Sequence, residues 1–199
     1  MRERSGFYPP MPRLLLITGA PASGKTRLAQ RLSERYRAAG CSKDEIKEIL
    51  FDRLGSGDVA WSRRLSDASF ALLFAFAARL LAAARPLLLE GNFRPGEHEP
   101  PLRALLAGGD VQLAQVLCEA AAATRAARLA ARAGDARRHA GHRDATLAVS
   151  SGASGFLDLP GPRLRFDSDA PEERQLAALY AALDPWAGCE PCTPVAPRP

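Results

Sequence analysis

The 199-residue chain contains no run of 18 or more uninterrupted apolar residues, which argues against a membrane-spanning helix. Its longest candidate, FALLFAFAARLLAAA (Phe70 to Ala84), is too short and carries Arg79, so it reads as a buried helix. The first residues, MRERSGFYPPMP, have two arginines but no apolar segment before Pro9, which is no secretory signal. A cytoplasmic protein with no membrane association is expected. Aromatic residues make up only 7% of the chain. That leaves little material for a base-stacking groove of the kind that holds single-stranded nucleic acid.

Cysteine is also scarce: Cys41, Cys118, Cys189 and Cys192. The Cys189-x-x-Cys192 pair sits in a Pro-rich stretch, and no second CxxC or CxxH completes a tetrahedral zinc site. No N-K-x-D occurs to read guanine, and no apolar run ends in the Asp or Asp-Glu of a mechanical ATPase. The chain is too short for the helical lid domain of a typical ring ATPase. What remains is an ordinary globular composition, 47% hydrophobic and 25% charged, with a net charge of +5 that suits a polyphosphate ligand.

The strongest positive signal is GAPASGKT, Gly19 to Thr26, which satisfies G-x-x-x-x-G-K-[ST] at every fixed position. It follows a short apolar run, Leu14 to Thr18, and opens a periodic segment with Leu28, Leu32 and Tyr36. Strand, loop and helix in that order make a phosphate cradle. Gly19 and Gly24 let the backbone turn, and the N–H groups of Gly19, Ala20, Pro21's neighbours, Ala22, Ser23 and Gly24 can face phosphate oxygens. The helix N-terminus adds partial positive charge. Lys25 reaches the β- and γ-phosphates, and the Thr26 hydroxyl ligates Mg²⁺. ATP and Mg²⁺ are the expected ligands.

Further along, the first helix is expected to stop at Gly40. Helices are expected at Asp44 to Leu54, Asp67 to Ala84, Glu99 to Ala107, Ala120 to Ala133 and Pro171 to Leu183. Strands are expected at Pro86 to Glu90, Val111 to Cys118 and Arg163 to Phe166. Strands alternating with helices give an α/β fold, a parallel sheet with helices on both faces. Four strands are read directly and a fifth is inferred. The expected organisation is a leader at 1–12, a domain at 13–183 with a helical lid at about 120–145, and a Pro-rich tail at 184–199.

Asp44 follows the first helix, where a second strand would deliver it beside the phosphate loop. A carboxylate there accepts the proton of a hydroxyl that attacks the γ-phosphate, or simply caps its helix. Glu90 ends a strand and can sit near the Mg²⁺ waters. Lys43 and Lys47 flank Asp44 and either attract an anionic acceptor or form a solvated face.

The series GAPASGKT, SKDEIKEILFDRLG, LLLEGNF, RHAGH and LDLPGPRLRFDSD resembles a group of small P-loop kinases. Their clan contains AAA-type ATP-binding proteins, polynucleotide 5′-hydroxyl kinases, chloramphenicol phosphotransferase-like enzymes, zeta-toxin-like sugar-nucleotide kinases and gluconate kinases. The resemblance spans about residues 13–182; its phosphate loop is generic, whereas KDEIKE and EGNF are more specific. It implies a P-loop NTPase three-layer sandwich with a five-stranded sheet and a lid. It implies Asp44 as general base, Glu90 and Asn92 on the acceptor or metal side, and Arg125, Arg128 and Arg132 on the lid helix. At least one of those arginines would neutralise the transferring group. By the same resemblance, LDLPGP walls the adenine, and Asp167 is a candidate contact. The chain departs in two places: YRAAGCS replaces the usual apolar strand before Asp44, and Ala140 replaces the proline of the lid loop.

The reading is an ATP-dependent phosphotransferase acting on a hydroxyl of a small molecule. A polynucleotide 5′-hydroxyl kinase is the runner-up, and a nucleotide-binding module without phosphotransfer is the rival from another class.

Overall fold

The structure, a computed structural model, describes residues 11–133 and 155–188. Five strands are present: β1 (Arg13–Gly19), β2 (Ala39–Ser42), β3 (Leu87–Glu90), β4 (Gln112–Glu119) and β5 (Arg163–Asp167). Between and after them run α1 (Lys25–Tyr36), α2 (Lys43–Leu54), α3 (Val59–Ala82), α4 (Glu99–Ala107), α5 (Ala122–Ala133) and α6 (Glu172–Ala187). The strands form one parallel sheet in the order β2-β3-β1-β4-β5.

Alternate residues of the central strands explain the layers. Leu14 and Leu16 of β1 join Leu87 and Leu89 of β3 beneath α3 and α4, where Phe70, Leu73, Ala77 and Leu102 are buried. Leu15 and Ile17 face the other way, with Leu88, Val116 and Phe166, beneath Leu28 and Leu32 of α1 and Leu176, Leu179 and Leu183 of α6. A strand covered on both faces reads as a continuous apolar run, as RLLLITG does.

The inferred fifth strand is β2, which is only four residues long and lies at the sheet edge. Its first two residues are exposed, so it needs no apolar run. Gly40 lies inside this strand and is not the stop of α1. That stop is Arg37, held in the left-handed region at φ 48° with its N–H on the Ser33 carbonyl. Helix α3 begins at Val59, two turns before the expected Asp67, because the Asp58 carboxylate accepts the Trp61 N–H at 2.7 Å. By length and composition α3 could cross a membrane. Its buried stripe, from Leu65 through Leu81, instead packs in the layer over the sheet.

Two further expectations change. LDLPGP does not reach the ligand edge. Leu157 and Leu159 are buried against Leu113, and the Gln115 side chain bonds the Leu157 carbonyl at 3.2 Å and the Leu157 N–H at 3.0 Å. The segment covers one sheet face and then leads into the start of β5, on the side away from the strands' carboxyl ends. Gly161 is required there: at φ 97°, a Cβ would lie 2.0 Å from the Leu113 carbonyl oxygen. At the end of the chain, α6 runs past Leu183 through Asp184 and Pro185, and Gly188 closes it at φ 64°. Asp184 accepts the Tyr36 hydroxyl at 2.8 Å and an Arg35 N–H at 2.7 Å, and Trp186 donates to the Gln112 carbonyl. The packed chain therefore extends beyond the expected end at 183.

Candidate active site

The carboxyl ends of β1, β2 and β3 bring the central residues together. Register pairs Ile17 and Ser42 with Glu90. The Ser42 hydroxyl donates to Glu90 Oε2 at 2.8 Å, and the Thr26 hydroxyl donates to the same oxygen at 3.4 Å. Glu90 is 2% exposed. Burial pushes its carboxyl above the usual range, opposed mainly by the nearby Lys25 ammonium and reinforced by the charge of Asp44.

The phosphate loop has the geometry its residues require. Gly19 pairs with Cys118, and a Cβ at Gly19 would lie 2.3 Å from the Cys118 oxygen. Gly24 precedes α1 at φ 92°, with no side chain capping the helix. The first N–H groups of α1 therefore have no side-chain cap, which is the arrangement that receives an anion. Ala22 is held at φ 61°, a left-handed conformation costly for a non-glycine residue and a form of strain found at ligand clamps. The Lys25 ammonium donates to the Ala20 carbonyl at 2.9 Å. Ser23 is fully buried, yet its hydroxyl has no partner among the described residues. An oxyanion in the loop would satisfy both groups, so the residues fit a nucleotide phosphate.

Two cavities flank this loop. The first, about 290 Å³, lies on the β2–β3 side and is lined by Lys25, Thr26, Asp44, Glu90, Asn92 and Arg132, among others. Asp44 does not cap α2. The N-cap is Ser42, whose Oγ accepts the Asp44 N–H at 3.3 Å. The Asp44 carboxylate is 54% exposed and accepts from the buried Lys43 ammonium at 3.1 Å. The Asn92 carbonyl oxygen is buried in this region without a partner among the described residues. Phe93, by contrast, belongs to the core.

The second cavity, about 210 Å³, lies on the β4–β5 side, between Gly24, Arg27, Arg128, Arg132, Phe166 and Ser168. Half-buried residues of α5 recur at helical spacing: Arg125, Arg128, Leu129 and Arg132. The arginines thus lie on its inner face. Arg128 donates to the Ala22 carbonyl at 3.1 Å and to the Ser168 hydroxyl at 2.8 Å, tying α5 to the phosphate loop and to the segment after β5. Arg125 lines neither cavity.

A family model described as an AAA domain matches residues 14–150. The chain belongs to this AAA-domain family. A crystal structure described as a "putative kinase" from Chloroflexus aurantiacus superposes with a TM-score of 0.76 at 31% identity, covering 86% of this chain and 98% of that one. A gluconokinase from Sinorhizobium meliloti shares the fold at 15% identity, with a TM-score of 0.58 and coverage of 90% and 95%. An uncharacterized protein of Mycobacterium tuberculosis is 27% identical over 175 residues, 84% of this chain. This chain spans about a third of that relative's length. The architecture of this AAA-domain protein is that of a P-loop kinase.

Several lining residues carried no signal in the sequence. Arg63 and Ser62 on α3 and Arg94 after β3 border the first cavity, but single charged residues look alike until a fold gathers them. His98, isolated in the sequence from the other histidines, is 4% exposed and lies 4.0 Å from the Phe70 ring, centroid to centroid. Its Nδ1 accepts the Arg94 N–H at 2.8 Å, which holds the loop carrying Arg94. Arg138, His139, His142 and the Cys189/Cys192 pair lie outside the described residues.

Proposed function

We propose that the protein is an ATP-dependent phosphotransferase that moves the γ-phosphoryl group to a hydroxyl of a small molecule, acting in the cytoplasm. The observation that carries this reading is the placement of Asp44 at the carboxyl end of β2, in one cavity with Lys25, Thr26, Glu90, Asn92 and Arg132. The donor nucleoside would occupy the β4–β5 flank, and the acceptor the β2–β3 flank. The acceptor hydroxyl gives its proton to Asp44 as its oxygen bonds to the γ-phosphorus. The bond from that phosphorus to the β–γ bridging oxygen breaks, and ADP leaves with the electron pair.

Lys25, Arg128 and Arg132 neutralise the charge on the transferring group. The Thr26 hydroxyl and the Glu90 carboxylate would hold Mg²⁺ together with substrate phosphates, a common arrangement for that ion. When bound, Mg²⁺ screens the phosphate charge. The buried Asn92 oxygen is a ready acceptor for a hydroxyl of the second substrate. Likeness to the Chloroflexus protein supports the kinase reading.

The polynucleotide reading remains the second choice. The first cavity's modest volume favours a small acceptor. The test is transfer of labelled γ-phosphate to a pooled panel of sugars, nucleosides, aminoglycosides, chloramphenicol-like alcohols and a 5′-hydroxyl oligonucleotide, with wild type and Asp44→Asn in parallel. Product made by wild type alone supports a kinase and identifies its acceptor class. Absence of product with ATP bound points to a binding module. If only the oligonucleotide is labelled, and activity falls steeply with salt, the polynucleotide reading replaces ours.

A further inference from the structure

Resting on the kinase reading above, we infer that the acceptor is an anionic alcohol: a hydroxyl compound that also carries a phosphate, sulfate or carboxylate group, seated by Lys43, Lys47, Arg63 and Arg94. These four cations come from α2, from α3 and from the loop after β3, and all line the cavity on the β2–β3 flank. Among the described residues, the only carboxylates lining that cavity are Asp44 and the buried Glu90.

The donor does not account for these charges. The phosphate loop follows the central strand β1, and the second cavity lies on the opposite flank, toward β4, β5 and α5. A nucleotide in the loop has Lys25, the start of α1, Arg128 and Arg132 to neutralise it. The four cations on the other side are therefore left for the second substrate.

Lys47 leaves room for an anion, whereas Arg94 already meets the Glu97 carboxylate at 2.8 Å. The Lys43 ammonium is held by Asp44. The Lys47 ammonium, however, spends a hydrogen bond on a neutral group, the Ser62 hydroxyl at 3.0 Å, and lies 5.3 Å from the Phe51 ring centroid. Burial, then the charges of Lys43 and Arg94, push the Lys47 ammonium down to about 8, while Asp44 and Asp67 oppose the fall. Arg63 borders the same space from α3. Like charges gathered in a partly desolvated cleft focus a positive field that favours an anion and disfavours a cation. An aminoglycoside would meet repulsion here, and a neutral sugar would leave the field uncompensated. The oxyanion group takes no part in the bond changes; it positions the hydroxyl between Asp44 and the γ-phosphate.

The experiment uses the full chain loaded with Mg²⁺ and the β,γ-imido analogue of ATP, so that the phosphate loop is filled. Inorganic sulfate is the probe, and NMR of labelled lysine, assigned with Lys47→Met, follows the Lys47 titration. Sulfate should raise the Lys47 pKa saturably, and the double variant Arg63→Gln/Arg94→Gln should weaken sulfate binding about tenfold. A Lys47 titration that sulfate leaves unmoved, or a double variant that binds sulfate like wild type, would overturn the inference. A second arm compares transfer to matched pairs, gluconate against glucose and ribose 5-phosphate against ribose, with an aminoglycoside alongside. Preference for the charged members supports the inference. Preference for a neutral or cationic alcohol overturns it and leaves the kinase reading standing. No transfer to any alcohol, with sulfate still shifting Lys47, supports the anion site and counts against the kinase reading.

Discussion

With Asp44 as the proposed base, replacing it by Asn should separate catalysis from folding, because the cap of α2 falls on a different residue. Ser42, not Asp44, caps α2. The substitution therefore keeps the cap and removes a charge near the helix N-terminus, worth about 0.3–1 kcal/mol. The Asn oxygen can still accept from Lys43, now without charge assistance, and the exposure of the site screens that loss. Together the cost is about 1 kcal/mol, or a fall in Tm of about 2–4 °C for a chain of this size. ATP contacts lie across the cavity and stay intact, so its Kd should move less than about threefold, under 1 kcal/mol.

Transfer should respond quite differently. Loss of a general base lowers kcat by about 10²–10⁴-fold, equivalent to about 3–5 kcal/mol of transition-state stabilisation. The assay is steady-state transfer to the identified acceptor, alongside calorimetric ATP binding and thermal unfolding. A variant that keeps kcat within about tenfold of wild type would refute the assignment of Asp44. Parallel loss of ATP affinity would refute the separation of roles. Ser42→Ala supplies the contrast. It removes the cap and leaves Glu90 short of a partner, so it should lower stability by about 1–2 kcal/mol.

Arg128→Ala should weaken ATP binding by about 10- to 100-fold, since charged hydrogen bonds of this kind are worth about 1.5–3 kcal/mol and it loses the Ala22 and Ser168 contacts; calorimetry reads this directly. For His98, burial lowers the pKa below 6.5, so the unfolded chain binds more protons between that lowered value and 6.5. Stability is then fully present above 6.5 and lost as pH falls through the folded value, and His98→Asn should flatten that acid limb in denaturant titrations. Truncation after Leu183 strips Tyr36 and Arg35 of Asp184. It should cost about 2–4 kcal/mol, visible as a lower midpoint in urea.

The central strands and the phosphate loop were legible in the sequence because both obey strict local rules. β1 is buried on both faces from Leu14 onward, so Leu14 to Ile17 are all apolar; a Cβ at Gly19 would lie 2.3 Å from the Cys118 carbonyl oxygen, and Gly24 takes a positive φ. β2 was not legible: an exposed edge strand of four residues needs no hydrophobic pattern, and a glycine within it resembles a helix stop. LDLPGP was expected at the ligand edge through resemblance alone, whereas its two leucines are core residues beside the Gln115 side chain, which bonds the Leu157 backbone. The site divides in the same way. Lys25, Thr26, Asp44 and Glu90 stand beside motifs or strand ends. Arg63, Ser62 and Arg94 reach the cavity only because α3 and the loop after β3 are folded against α2. The inner face of α5 was visible as arginine spacing, but only packing showed which way that face turns.

The Lys25 ammonium rests on the carbonyl of Ala20, within its own loop. Nucleotide arrival is thus an exchange: one charge-assisted bond is surrendered as another forms, and the loop never exposes a bare ammonium. Such a resting contact lowers the net gain from the phosphate and, on the kinase reading, would return as soon as ADP departs. It moderates affinity for donor and product alike, which favours turnover over tight retention.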